Sequence, residues 1–387
     1  MTQEITQVLT DLSGQPDTDL PVLSIYLNMV PDGSNTRQSL ITLEQELRRL
    51  GGEFAPHTPQ QESFAADQER IMEYVRRGVP DDVRGVAIFA CQGTGLWQTL
   101  EFQTQLETEI SIDRYPHIFH LARLNDDFET CAVVLASGQN ASIVVFALDR
   151  VMPAATTEAP EEIKRFQQGG TAQMQLQRRT DNLIKAHIKD IGTQLAQVIE
   201  RYNVAHVVFA GNDSIKGMVL GTLDEHIKAR LIDYVNIDPK SNLDAVREAI
   251  SPLLHEAERQ QEQSDLDALA DLLATKGGLA VAGLADTALA LGKGQVRTLV
   301  MLRSFNGNGG ECASCGMIQV GGVGQCPYDG GELRPADLRE LFSARAMQQS
   351  ARIQIVERSD LLDQHEGVGA MLYYRDDELA KENQVNS

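Results

Sequence analysis

The sequence predicts an α/β protein made of three α/β domains. The chain has 387 residues, and at about 100–200 residues per domain that length allows two to four. Short β-rich apolar runs alternate with longer amphipathic stretches, the pattern of sheets covered by helices. A polar run, Asn125–Asp127, separates the first such group from the second, and the domains are set at 1–125, 126–262 and 263–387.

In the first domain, Val22–Val30 alternates and reads as a strand. Residues 36–50 read as a helix with Leu40, Leu43, Leu47 and Leu50 on one stripe. A polar loop, Gly51–Gln61, precedes a helix near 62–78. Val83–Cys91 and Leu96–Phe102 look like a strand pair, and Phe119–Leu124 like a further strand, with His117 and His120 at its edge.

In the second domain, Thr130–Ala136 and Ala141–Asp149 read as strands joined by a turn at Ser137–Asn140. Met152–Gln168 has no clear period and reads as an exposed loop ended by Gly169 and Gly170. An amphipathic helix follows from Ala172 to Tyr202, with His187, Ile188, Ile191, Leu195 and Val198 on its apolar stripe. Strands at Ala205–Ala210 and Leu231–Ile237 flank a helix at 214–231.

The third domain opens with helical residues 243–275, interrupted near Ser251–Pro252. A short helix at Asp286–Leu291, a strand at Val296–Leu302 and a Gly/Cys-rich insert at 305–331 come next. A helix at 336–350 and strands at 352–356 and 367–374 close it.

Charge narrows the function. Lys plus Arg is 34 against 55 Asp plus Glu, a net of −21. A chain of that sign is a poor general nucleic-acid binder, because such binders are usually basic. The acidity is uneven, however. The window 164–189 holds Lys164, Arg165, Arg178, Arg179, Lys185 and Lys189 with Asp181 as its one acid, a local +5. Arg178, Lys185 and Lys189 are spaced by 7 and 4, so they share one helical face, which suits a phosphate backbone. Just upstream, Gly169 and Gly170 permit close approach of the backbone to another surface. Gln173 adds a neutral side chain with one acceptor and two donors. The helix start supplies free N–H groups and partial positive charge, suited to an anion or a developing oxyanion.

The N-terminal sequence has neither a basic n-region nor an apolar h-region, and the longest apolar runs fall far short of the ~20 residues of a membrane span. With five cysteines and no disulfide-like framework, a cytoplasmic protein is expected. Gly292-Lys293 is followed by Gly294, so it is not a phosphate-binding P-loop. His117 and His120 have no Ser/Asp partner at a recognisable spacing.

The order of parts is a strand-rich first unit, a strand hairpin, a long loop, Gly-Gly and a long basic helix. It resembles the eukaryotic and archaeal class-I translation termination factors, their Pelota-type rescue relatives and bacterial kin. Val22–Pro31 is similar to the first strand of that family's N-terminal domain. Gly278–Val300 is similar to its C-terminal domain, which is related to kink-turn-binding ribosomal proteins, and His365–Leu372 to that domain's closing strand. In the family the loop carries Gly-Gly-Gln and acts on the ester between a peptide and the 3′ end of tRNA.

The resemblance therefore implies a peptidyl-tRNA hydrolase of ribosome rescue. Gly169 and Gly170 would place the backbone, Gln173 would orient water, and no catalytic cofactor is needed. The partners implied are the ribosome, through rRNA and peptidyl-tRNA, and a translational GTPase; the chain is expected to act as a monomer away from membranes. Two departures stand out. Thr171, not Gln, follows Gly170, and the family's Asn-Ile-Lys-Ser motif is missing, so stop-codon reading is not implied. The shifted glutamine keeps two rivals open: a non-catalytic hibernation or protection factor of the same fold, and an RNA- or protein-binding adaptor working away from the ribosome.

Cys312-Ala-Ser-Cys315-Gly316 and Cys326-Pro-Tyr-Asp329-Gly330 have the spacing of a zinc ribbon, with Asp329 where a fourth Cys would stand. Archaeal relatives carry a zinc-binding insert in the same domain. A metal-free ribbon held by its glycine turns is the alternative.

The uneven charge carries an expectation of its own. Neutralising Arg178, Arg179, Lys185 and Lys189 together should weaken ribosome binding, read by cosedimentation, far more than neutralising any four charges elsewhere.

Overall fold

In the computed structural model, residues 2–31, 38–77, 79–80, 83–136, 140–147, 151–158, 171–211, 221, 223–238, 241–322 and 324–375 are described. Helix α1 (Thr2–Ser13) precedes strand β1 (Val22–Asn28). Helices α2 (Gln38–Gly51) and α3 (Pro59–Arg76) follow, then strands β2 (Gly85–Cys91), β3 (Leu96–Phe102) and β4 (Glu109–Asp113). These strands form an antiparallel sheet in the order β3-β2-β1-β4. Leu43 and Leu47 of α2 and Phe64 and Ile71 of α3 pack on one face, against Leu23, Ile25 and Ile88. Thr58 caps α3, its side chain accepting from the Gln61 N–H, and Pro59 opens the helix, where a missing N–H costs nothing.

Helix α4 (Phe119–Asp127) corrects the strand expected at Phe119–Leu124. All six of those residues are buried, His120 and Arg123 included, so burial here has no period to tell helix from strand. Its first N–H, that of Phe119, donates to Glu340 Oε2 at 2.9 Å.

Strands β5 (Cys131–Ala136), β6 (Asn140–Phe146) and β7 (Val151–Glu158) come next, followed by helix α5 (Thr171–Tyr202). Strand β8 (His206–Gly211), helix α6 (Glu225–Lys228), strand β9 (Leu231–Asn236) and helix α7 (Leu243–Ala274) complete this stretch. The sheet order is β7-β6-β5-β8-β9; β8 is parallel to both its neighbours, and the β5-β6 and β6-β7 pairs are antiparallel. Ile188, Ile191, Leu195 and Val198 of α5 cover one face, and Val246 and Ile250 of α7 the other.

Two readings change here. The first part of the expected loop Met152–Gln168 is strand β7, while 159–168 and the turn residues 137–139 lie outside the described residues. Pro153 obscured the strand, yet β7 is an edge strand, where proline is tolerated, and its register against β6 shifts between Ile143 and Val144. Helix α7 also runs through Pro252 rather than stopping there. Of the helix expected at 214–231, the four residues of α6 are described, and 212–220 lie outside the described residues.

The last stretch holds strand β10 (Ala280–Ala282), helix α8 (Leu284–Gly292), strands β11 (Val296–Leu302), β12 (Asn308–Cys312), β13 (Ile318–Val320), β14 (Gly324–Gln325) and β15 (Glu332–Asp337), and helix α9 (Leu338–Gln348). Strand β16 (Arg352–Val356), helix α10 (Asp360–Asp363) and strand β17 (Val368–Leu372) finish it. One sheet has the order β10-β17-β11-β16, and the insert forms its own antiparallel sheet, β13-β12-β15-β14.

Residues 6–127 and 262–387 form one compact unit, and 128–261 with 1–5 form another. Within the first of these, the two chain stretches are tied by polar contacts. Arg334 pairs with Asp17 at 3.0 Å, Arg114 donates to the Pro335 carbonyl at 3.0 Å, and Asp126 Oδ2 accepts from the Ile355 N–H at 2.7 Å. Glu340 is fully buried, and burial pushes its carboxyl above the usual carboxylate range; His117, the Phe119 N–H and Arg339 oppose that rise.

A second buried carboxylate lies in the same unit. Asp67 of α3 accepts from the Gln92 N–H at 2.8 Å and holds the β2–β3 turn. Burial pushes its carboxyl up to about 6, against the pull of the Gln92 amide and Arg70. A carboxyl whose folded value is raised favours the fold most when protonated. Its contribution is complete below the unfolded value near 4 and is lost as pH rises through about 6. Asp67→Asn is therefore expected to flatten the fall in stability between about pH 4 and 6. After allowance for solvent screening it should stabilise the protein at pH 7 by about 1–2 kcal/mol, read by denaturant unfolding at both pH values.

Candidate functional site

Helix α5 begins at Thr171, directly after Gly170, so Gln173 lies in its first turn. Gly169, Gly170, Lys164 and Arg165 lie outside the described residues. Arg178 and Arg179 are on the helical backbone of α5. Lys185 and Lys189 are exposed one turn apart on the same helix. His187, between them in sequence, is buried, and desolvation pulls its imidazole below the ordinary value, with Asp190 opposing. It is a neutral packing residue, as its place on the apolar stripe predicts. The inward stripe at Ile188, Ile191 and Leu195 therefore seats α5 on the sheet while the two lysines face water.

The cysteine insert is a pair of matched turns. In the first, the Gly316 N–H donates to the Cys312 carbonyl at 2.9 Å; in the second, Gly330 does the same to Cys326 at 2.9 Å. Both glycines have positive φ, 71° and 73°, where a side chain would be strained. Gly331 is constrained by space, since a Cβ there would lie 2.9 Å from Cys312 Sγ.

The turns bring Cys312, Cys315, Cys326 and Asp329 together, with one ligand atom of each within 4.8 Å of all the others. Cys315 Sγ and Cys326 Sγ are 3.6 Å apart, and Cys312 Sγ lies 3.3 Å from Asp329 Oδ1. Tetrahedral zinc with Zn–S bonds of about 2.3 Å spaces its sulfur ligands about 3.8 Å apart, so the cluster fits such an ion. The Cys315 amide aimed at Cys312 Sγ draws that thiol below its ordinary value, and the Gly331 N–H does the same for the Asp329 carboxyl. These two shifts favour the deprotonated forms a cation needs, while the Cys315 thiol, against the pull of the Met317 amide, is pushed up to about 12 by desolvation and its hydrogen-bonded neighbours. Arg345 of α9 braces the first turn by pairing with Glu311 and donating to the Gly316 carbonyl.

A polar cluster around α4 was not foreseen. His120, expected at a strand edge, is on α4, and its Nε2 lies 2.5 Å from Glu109 Oε2. His117 pairs with Asp113 at 3.0 Å and, through its carbonyl, accepts from Tyr26 Oη at 2.9 Å. Burial pulls the His117 imidazole down, but the charges of Asp113 and Glu340 outweigh it and the net shift is upward. The chemistry is structural, since each histidine is bound to a carboxylate. Asp113 and Glu109 lie only four and eleven residues before His117 and His120, but Tyr26 and Glu340 come from distant segments that no local pattern brings together. Gly292-Lys293 ends α8 instead of opening a helix, which agrees with its exclusion as a P-loop.

Among the described residues, no helix is long and apolar enough to cross a membrane. No curated protein matches the chain. Solved structures similar to it include the archaeal translation termination factor aRF1, at 15% identity over 96% of this chain and 98% of that one, with a TM-score of 0.27. Dom34 of S. cerevisiae, a translation termination-like factor, matches at 12% identity over 74% and 76%, with a TM-score of 0.42. The archaeal Pelota in a model of ribosome-bound Pelota and ABCE1 matches at 12% identity over 97% and 94%, with a TM-score of 0.42. Residues 116–261 match the bacterial archaeo-eukaryotic release factor family 10, a span that contains all of 128–261, the stretch that folds as a separate unit with residues 1–5. The similarity to the archaeo-eukaryotic release factors is thus carried by residues 116–261, which match their bacterial family 10.

Proposed function

We propose that this protein is a ribosome rescue factor that enters the A site and places residues 165–173 in the peptidyl transferase centre. The observation that carries this reading is the release-factor match of residues 116–261, a segment in which Gly169-Gly170 leads directly into α5. The reaction is hydrolysis of the peptidyl-tRNA ester. Water adds to the ester carbonyl carbon, the carbon–oxygen bond to the tRNA 3′ end breaks, and the 3′ hydroxyl leaves with a proton. The ester is labile, and the ribosome supplies much of the site. Gly169 and Gly170 let the backbone approach the ester. Gln173 orients the water, and the first N–H groups of α5 face the developing oxyanion, where a preorganised donor is worth about 3 kcal/mol. Arg178, Arg179, Lys185 and Lys189, with Lys164 and Arg165, meet rRNA phosphates. A translational GTPase delivers the factor, which acts as a monomer in the cytoplasm.

A second reading is favoured by one observation. Gln173 is on the helical backbone of α5, three residues past Gly170, whereas the family's glutamine follows the glycines directly. A glutamine displaced in this way suits a non-catalytic hibernation or protection factor that occupies the ribosome without releasing peptide. Gln173→Ala decides between the two. In the hydrolase, release from peptidyl-tRNA-loaded ribosomes falls about 100-fold while cosedimentation is kept. Unchanged release removes Gln173 from catalysis, and binding with no release by the parent protein selects the second reading.

Cys312, Cys315, Cys326 and Asp329 hold one structural zinc, which closes the insert. Metal analysis of the purified protein should find one zinc per chain. Cys326→Ser should lose the metal and lower the melting temperature, and a zinc-free parent protein would rule the site out.

A further inference from the structure

A cationic, aromatic surface lies at one end of the β10-β17-β11-β16 sheet, away in sequence from both the basic helix and the cysteine turns. Strand β17 ends at Leu372, and the two residues that follow are tyrosines, 58% and 52% exposed. The Tyr373 N–H donates to the Gln295 carbonyl at 2.9 Å, which fixes the first beside β11. Tyr374 Oη donates to the Lys293 carbonyl at 3.4 Å, which fixes the second beside the end of α8. Arg375 donates to the Gly278 carbonyl at 3.1 Å, and Lys276, exposed, is two residues before Gly278.

Arg297 joins them from β11. The register of β11 against β17 shifts between Val296 and Thr298, so Arg297 is the extra residue of a bulge. It is exposed, and its guanidinium lies 3.7 Å from the Met371 sulfur. Met371 is two residues before Tyr373, so Arg297 lies beside the end of β17 from which the tyrosines follow.

We infer that Tyr373 and Tyr374, with Lys276, Lys293, Arg297 and Arg375, bind an unpaired RNA strand. Two adjacent exposed rings offer π-faces to successive bases, and the flanking cations meet the phosphates between them. An acidic protein partner would use the cations but would leave two exposed rings without a role. The sequence continues Asp376, Asp377, Glu378, which offsets part of the charge. Stacking therefore carries the part of the contact that salt does not weaken. Four phosphate contacts at about −0.7 each limit the log–log salt slope to about −3.

The test uses the full chain and a fluorescein-labelled 12-residue oligoadenylate RNA, with anisotropy as the readout and no ribosome present. Its result is thus independent of whether the protein releases peptide. Tyr373→Ala and Tyr374→Ala are each expected to weaken binding about tenfold, whereas Tyr373→Phe and Tyr374→Phe keep it. Tyr328→Ala serves as the control, since Tyr328 is equally exposed at 60% in the cysteine insert; this variant binds as the parent does. Failure of the parent protein to bind the oligonucleotide, or equal binding by the parent and the two alanine variants, overturns the assignment.

Discussion

A carboxylate taken out of water needs compensation from its surroundings, and in this chain Glu340 has that need at the point where two distant stretches meet. Its Oε2 takes the first amide of α4, a residue 221 positions earlier in the sequence. That amide would otherwise be a buried donor at a helix start. Each group thus relieves the other, and removing either leaves its partner stranded. Arg339 adds charge 3.5 Å away and lies over the Phe119 ring at 4.8 Å. Around this contact the polar ties of Asp17, Arg114 and Asp126 bring residues 6–127 and 262–387 into one unit. The segment 128–261 is, in chain order, an insertion into that unit, and it is the segment inside the release-factor match.

Local pattern made much of this legible. The Leu43–Leu47 stripe and the long period of α5 each report an element buried on one side only, and the β-rich run Val22–Asn28 was readable as a strand although both its faces are buried. The cysteine spacing was equally readable, because each turn is closed by a glycine within its own five residues. Context hid the rest. Phe119–Leu124 is buried all round and shows no period, and Pro153 spoke against a strand that is allowed because it lies on an edge. The Glu340–Phe119 contact joins segments whose proximity no local window reveals.

The charge distribution gains meaning from the same geometry. A net of −21 disfavours RNA over most of the surface, while Lys185 and Lys189 stand exposed on a helix whose opposite side is anchored in apolar packing. Burial of His187 belongs to that anchoring. Acidity and a cationic helix are compatible because they occupy different places.

The 221-residue span between Phe119 and Glu340 also sets an order of assembly during synthesis. As the chain emerges, α2, α3 and the first sheet can close on their own apolar face, and residues 128–261 can fold from contacts within themselves. Helix α4 has to wait, because the group that satisfies its first amide is made 221 residues later. Until then Tyr26, on the side of the first sheet that meets His120 of α4, remains uncovered. Contacts of such long separation are slow to form, since loop-closure entropy must be met before they stabilise anything. The unit that encloses the release-factor segment is therefore completed only after that segment has left its own ribosome.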